Sequence, residues 1–134
     1  MEKVVVDASV VVKWFIEEKH SDKALELRDR YINLEIELLA PELLPYEVLN
    51  ALRYSKLFTS QEMKNIAQAI NLYGFKLYPL IGELAELTIE VAYANNLTIY
   101  DASYLALAIK NKTMVYTADK KLAENEYAVD IREI

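Results

Sequence analysis

Four acidic residues stand where a carboxylate is costly or conspicuous: Asp7, Glu47, Asp101 and Asp119. Asp7 lies in Val4-Val5-Val6-Asp7-Ala8-Ser9-Val10-Val11-Val12-Lys13-Trp14-Phe15, where nine of twelve residues are apolar. A charge in such surroundings is expensive to desolvate unless it is paired or binds a metal. Glu47 has Leu43, Leu44, Asn50 and Ala51 as one-turn neighbours, so it borders an apolar stripe and makes a small polar patch with Asn50. Asp101 lies one turn from Tyr104 and Leu105 in a segment with almost no polar face, and Asp119 follows an apolar run that ends at Thr117. Each acid also has a plain structural role open to it. Asp7 and Asp119 could cap the helices they precede, Thr98 with Asp101 fits a capping box, and Glu47 could complement a helix dipole.

The donor types narrow the chemistry. There is no Cys and only one histidine, His20, so Cys- and His-rich metal sites are excluded. Four carboxylates offer oxygen ligands only, which suits a hard cation such as Mg2+ or Mn2+. One or two such ions can activate a water and stabilise the leaving oxygen of a phosphodiester. The net charge of −6 opposes broad binding to a phosphate backbone. A nucleic-acid substrate therefore needs local cations, which metal ions would supply together with Lys13, Arg53, Lys120 and Lys121, all close in sequence to the acids.

Such acids need a scaffold that brings distant junctions to one edge. The β-branched run at 3–7 predicts a buried strand, and 9–17 a helix with Trp14 on its apolar side. A helix over 21–34 with Ser21 as N-cap follows, then a strand over 36–40 ended by Pro41. Helices are expected at 43–57 and at 60–73, the second opened by a Thr59–Glu62 capping box and stopped by Gly74. The pattern continues with a strand at 77–80, a helix at 83–94 ended by Asn95-Asn96, and an apolar helix at 98–110. Strands at 114–117 and 128–131 flank a helical turn at 119–122. This alternation predicts a three-layer α/β/α sandwich with a mainly parallel central sheet, whose carboxyl edge is the place for ligands.

With 134 residues, 54% hydrophobic, and no repeat or linker, the chain reads as a single domain over 1–134. Its apolar runs are too short for a membrane span and no secretory signal is visible, so a cytoplasmic location is expected. Two isolated glycines cannot build a phosphate-binding loop, which argues against a nucleotide cofactor. A haloacid-dehalogenase-like phosphatase would need a second Asp where Ser9 stands.

Four blocks then resemble one known family. Val-Val-Asp-Ala-Ser-Val at 5–10, Tyr-Glu-Val-Leu-Asn-Ala-Leu at 46–52, Tyr-Asp-Ala-Ser-Tyr-Leu-Ala-Leu-Ala at 100–108 and Thr-Ala-Asp at 117–119 look like the PIN domain. More narrowly, they are similar to the VapC-type toxin ribonucleases of prokaryotic toxin–antitoxin pairs. The resemblance implies that Asp7, Glu47, Asp101 and Asp119 are catalytic and hold Mg2+ or Mn2+. Thr117 matches the hydroxyl residue before the last acid, and Ser9 and Asn50 match supporting polar positions. It further implies a homodimeric endoribonuclease that cleaves RNA and is inhibited by a cognate antitoxin. The alternative is a PIN-like binding module with little turnover. Apolar residues on the first helices, Val11, Trp14, Phe15 and Leu25, suggest a groove for an amphipathic antitoxin helix.

Overall fold

The computed structural model describes residues 1–134. Five strands, β1 (Glu2–Val6), β2 (Ile36–Pro41), β3 (Lys76–Tyr78), β4 (Val115–Thr117) and β5 (Ala128–Asp130), form one sheet in the order β3-β2-β1-β4-β5. Every adjacent pair is parallel. Around it lie α1 (Ala8–Val12), α2 (Ser21–Ile32), α3 (Leu44–Ser55), α4 (Ser60–Tyr73), α5 (Gly82–Asn95), α6 (Ile99–Lys110) and α7 (Lys120–Ala123), with a 3₁₀ turn at Ile131–Glu133. The result is the expected α/β/α sandwich.

The core explains the sequence pattern. Val4, Val5 and Val6 are buried, as a central strand covered on both faces requires. Helix α6 packs against β1, β2 and β4 on one side and α5 on another. Enclosed in this way, every residue from Ala102 to Ala108 is buried, which accounts for a helix with almost no polar face. The Thr59–Glu62 capping box forms in full, and Gly74 and Asn96 end their helices in the left-handed region. No helix is long and apolar enough to cross a membrane.

The strand order decides where a ligand belongs. From β1 the chain moves outward through β2 to β3, then returns to the other side of β1 as β4. The reversal lies between β1 and β4, and the crevice beyond their carboxyl ends is the topological switch point.

Three local expectations are corrected. Helix α1 stops at Val12, well before residue 17, and the N–H groups of Lys13, Trp14 and Phe15 bond to carbonyls three residues back. Consecutive valines restrict χ1 and favour a short helix tightened at its end. Ser21 is the first residue of α2, not its cap; its hydroxyl accepts from the Glu18 N–H and donates to the Ile16 carbonyl, tying down the preceding loop.

The third concerns the supposed surplus of apolar side chains. Val11 is fully buried and Phe15 and Leu25 are half-buried against the core. Trp14 sits against Tyr73 and Phe75 with ring centroids 5.0 and 5.7 Å away, and its Nε1–H donates to the Ala24 carbonyl at 2.8 Å. These side chains hold α1 and α2 in place and do not line a free groove. Trp14→Phe is accordingly expected to cost about 1–3 kcal/mol, because it removes the hydrogen bond to Ala24 and part of the ring that fills the aromatic cluster. A lower urea midpoint at unchanged slope would show it.

Candidate functional site

Asp7 directly follows β1, and its N–H donates to the Tyr116 carbonyl of β4. It occupies the N-cap position of α1, yet its side chain caps nothing. Instead Oδ2 accepts from Ser9 Oγ at 2.6 Å and from Thr117 Oγ1 at 2.8 Å. Thr117, fully buried at the end of β4, also accepts the Asp119 N–H at 3.0 Å. Ser9 accepts the Ala118 N–H at 2.9 Å. The two hydroxyls thus lace the ends of β1 and β4 together and fix one oxygen of Asp7 at the switch point.

The other acids arrive from helix starts. Glu47, in the first turn of α3, is half-buried, and its Oε1 accepts from Tyr104 Oη at 2.7 Å. Asp101 lies in the first turn of α6, where Thr98 accepts the Asp101 N–H at 3.1 Å. That is only half of the anticipated capping box, because the Asp101 carboxylate makes no return bond to Thr98. Asp119 does cap: Oδ1 accepts from the N–H groups of Lys121 at 2.9 Å and Leu122 at 3.3 Å. The structural role suggested for Asp119 is therefore present, while those suggested for Asp7 and half of that for Asp101 are absent. Asn50 is exposed; it makes no hydrogen bond to the acids but shares an open hollow with Glu47, Leu43, Tyr46 and Tyr100.

Electrostatics link the four. Burial pushes the Asp7 carboxyl up, against the lowering effect of Ser9 and Thr117, and the charge of Asp101 adds to the rise. Burial likewise raises Glu47, with Asp7 and Asp101 contributing against the Tyr104 hydrogen bond. Asp101 is raised by burial and by Asp119, and lowered by Lys121. Each acid thus feels at least one of the others, and none of the five ion pairs in the chain includes any of them. Of the four cations near in sequence, Lys121 acts on the cluster. Lys13 is engaged elsewhere, with Glu18 at 3.0 Å and the Lys19 carbonyl at 2.7 Å.

Asp7 is buried, Glu47 and Asp101 are half-buried and Asp119 is exposed, and a set of neighbouring carboxylates with oxygen donors alone fits a hard cation. No three acidic residues lie close enough to ligate one ion together. Mg2+ keeps several waters and needs only one or two direct carboxylates, so these acids need not close into a cage to hold it. Sequence reasoning overlooked Tyr104. Its signal was a hydroxyl-bearing ring inside an otherwise apolar helix, because a buried phenol needs a partner. Burial and the adjoining acids drive its pKa far above the usual phenol value, so Oη remains a donor.

A family model of the PIN domain matches residues 4–126 of the chain. Ribonuclease VapC3 of Pyrobaculum aerophilum is 31% identical over 128 residues, covering 91% of this chain and 93% of that protein. A crystal structure of a protein from Pyrobaculum aerophilum superposes with a TM-score of 0.67 at 27% identity, over 98% of this chain and 85% of that one. A chain of a toxin–antitoxin complex from Klebsiella pneumoniae gives 0.72 at 17% identity over 98% and 99% of the two chains, a likeness of fold.

Proposed function

The chain belongs to the PIN domain family, and from that premise we propose that it is a metal-dependent endoribonuclease, the toxin of a type II toxin–antitoxin pair acting in the cytoplasm. The observation that carries this reading is Asp7, a buried carboxylate with no cationic partner at the switch point, within electrostatic reach of Glu47 and Asp101. RNA as the substrate is supported by the ribonuclease that shares 31% of its residues with this chain.

Asp7, Glu47, Asp101 and Asp119 would hold Mg2+ or Mn2+. When bound, the ion would supply an activated water and neutralise charge building on the phosphodiester. The chain's own groups prepare for this. Ser9 and Thr117 both bond Oδ2 of Asp7, and Asp119 spends Oδ1 on α7 and keeps Oδ2. Lys121 supplies positive charge beside Asp101, where a phosphate would otherwise meet only acids. Asn50, which shares the hollow with Glu47, would touch the RNA strand. All of residues 1–134 form one domain in this reading, active as a homodimer and silenced by a cognate antitoxin.

The test is cleavage of single-stranded RNA with Mg2+ or Mn2+, with excess EDTA, and with Glu47→Gln. Cleavage is expected only for the metal-supplied wild type. Undiminished cleavage in EDTA or by Glu47→Gln sinks the assignment. RNA retention without any turnover would favour the binding-module alternative.

A further inference from the structure

We propose that Tyr104 is a positioning residue whose hydroxyl fixes Glu47 in the acidic site. The inference rests on the reading of Glu47 as one of the metal-holding acids.

The geometry is specific. Between Ala102 and Ala108 on α6, two residues carry polar side-chain atoms, Ser103 and Tyr104. Ser103 Oγ is satisfied within its own helix by the Tyr100 carbonyl at 2.6 Å. Tyr104, fully buried, reaches across to α3 and donates to Glu47 Oε1 at 2.7 Å. For Glu47 this is the one side-chain hydrogen bond it makes, and it enters no ion pair. Three hydroxyls therefore underlie the cluster, with Ser9 and Thr117 on Asp7 and Tyr104 on Glu47.

Packing alone does not ask for the hydroxyl. The ring would fill its buried place equally well as phenylalanine, which brings no donor into a dry core. A buried O–H is costly when unpaired, and Glu47 Oε1 is the acceptor for the Tyr104 hydroxyl. In return, a bond to an ionised carboxylate is short and about twice as strong as one between neutral groups. Glu47 is half-buried on a flexible stem, and the bond holds Oε1 down and leaves Oε2 unengaged. Partners that orient metal-ligating groups in this way typically matter by about 10–100-fold in affinity or rate.

The experiment measures Mn2+ binding by titration calorimetry, RNA cleavage, and thermal unfolding in EDTA, for wild type, Tyr104→Phe, Glu47→Gln and the double variant. Tyr104→Phe is expected to bind Mn2+ about 10–100-fold more weakly and to lose a similar factor in kcat with KM unchanged. Its unfolding in EDTA stays close to wild type. In the Glu47→Gln background the second substitution adds no further loss of Mn2+ affinity, the signature of residues acting as one unit. Wild-type Mn2+ affinity in Tyr104→Phe, beside a weakened Glu47→Gln, overturns the positioning role and leaves the acidic site standing. Additive losses in the double variant, or a Tyr104→Phe chain that no longer folds in EDTA, assign the hydroxyl to stability and also overturn it. Should Glu47→Gln bind Mn2+ and cleave RNA as wild type does, the reading of the site fails first, and the role of Tyr104 with it.

Discussion

Asp7→Asn is expected to raise the stability of the metal-free protein while removing its ribonuclease activity. Burial, with the charge of Asp101 added, pushes the Asp7 carboxyl up, and the hydroxyls of Ser9 and Thr117 recover only part of the difference. An acid whose pKa is higher folded than unfolded contributes stability below its unfolded value and loses it as the pH rises through the folded value. Near neutral pH the ionised Asp7 therefore works against folding. Asparagine offers an oxygen to the same two hydroxyls and carries no charge. A gain of about 0.5–2 kcal/mol in EDTA is expected, the usual size of such gains where a site trades stability for function. Cleavage should fall by at least about 100-fold, as when one electrostatic contributor to a charged transition state is lost. Urea unfolding in EDTA and an RNA cleavage assay read the two effects separately. A variant less stable than wild type in EDTA would contradict the account of Asp7 as a destabilising charge.

Much of this arrangement is legible in local sequence. The buried valines of β1 mark a central strand, and Asp7 at its end marks the edge where ligands bind. Thr59 with Glu62 and then Gly74 delimit α4 because capping chemistry is confined to a few neighbouring residues. What stayed hidden depends on contacts between distant segments. The bond from Tyr104 to Glu47 spans 57 residues, and nothing in either segment names the other. Trp14 and Val11 look surplus in the segment after β1 because the aromatic cluster that covers Trp14 arrives only with Tyr73 and Phe75. Lys13, near Asp7 in sequence, turns to Glu18 instead, whereas Lys121 reaches Asp101 from a different element. Sequence proximity was a poor guide to which cations meet the acids.

The metal-free protein should lose stability as the pH rises above the ordinary carboxylate range, and bound Mg2+ or Mn2+ should reverse that trend. Asp7, Glu47 and Asp101 are all raised, each chiefly by burial, so all three favour the fold while protonated. Their contribution is complete below the unfolded carboxylate pKa of about 4 and drains away through the raised folded values. Glu62 and Asp130 have the opposite sign. Hydrogen bonds from Thr59 hold Glu62 low and Arg132 holds Asp130 low, so their stabilisation is present above the unfolded value and is lost only as the pH falls. The two groups thus act in separate windows, the lowered pair below the ordinary carboxylate value and the raised acids of the site above it. A divalent ion binds the deprotonated carboxylates, so its affinity grows with pH. Free metal at about 100 times Kd would add about 2.7 kcal/mol. Calorimetric Tm measured from the ordinary carboxylate range upward, with EDTA and with metal, should give curves that diverge as the pH rises. Asp7→Asn should flatten the EDTA curve and bring the metal curve down toward it. Parallel curves in the wild type, or an EDTA slope untouched by Asp7→Asn, would place the pH dependence outside the four acids and remove the energetic case for a cation among them.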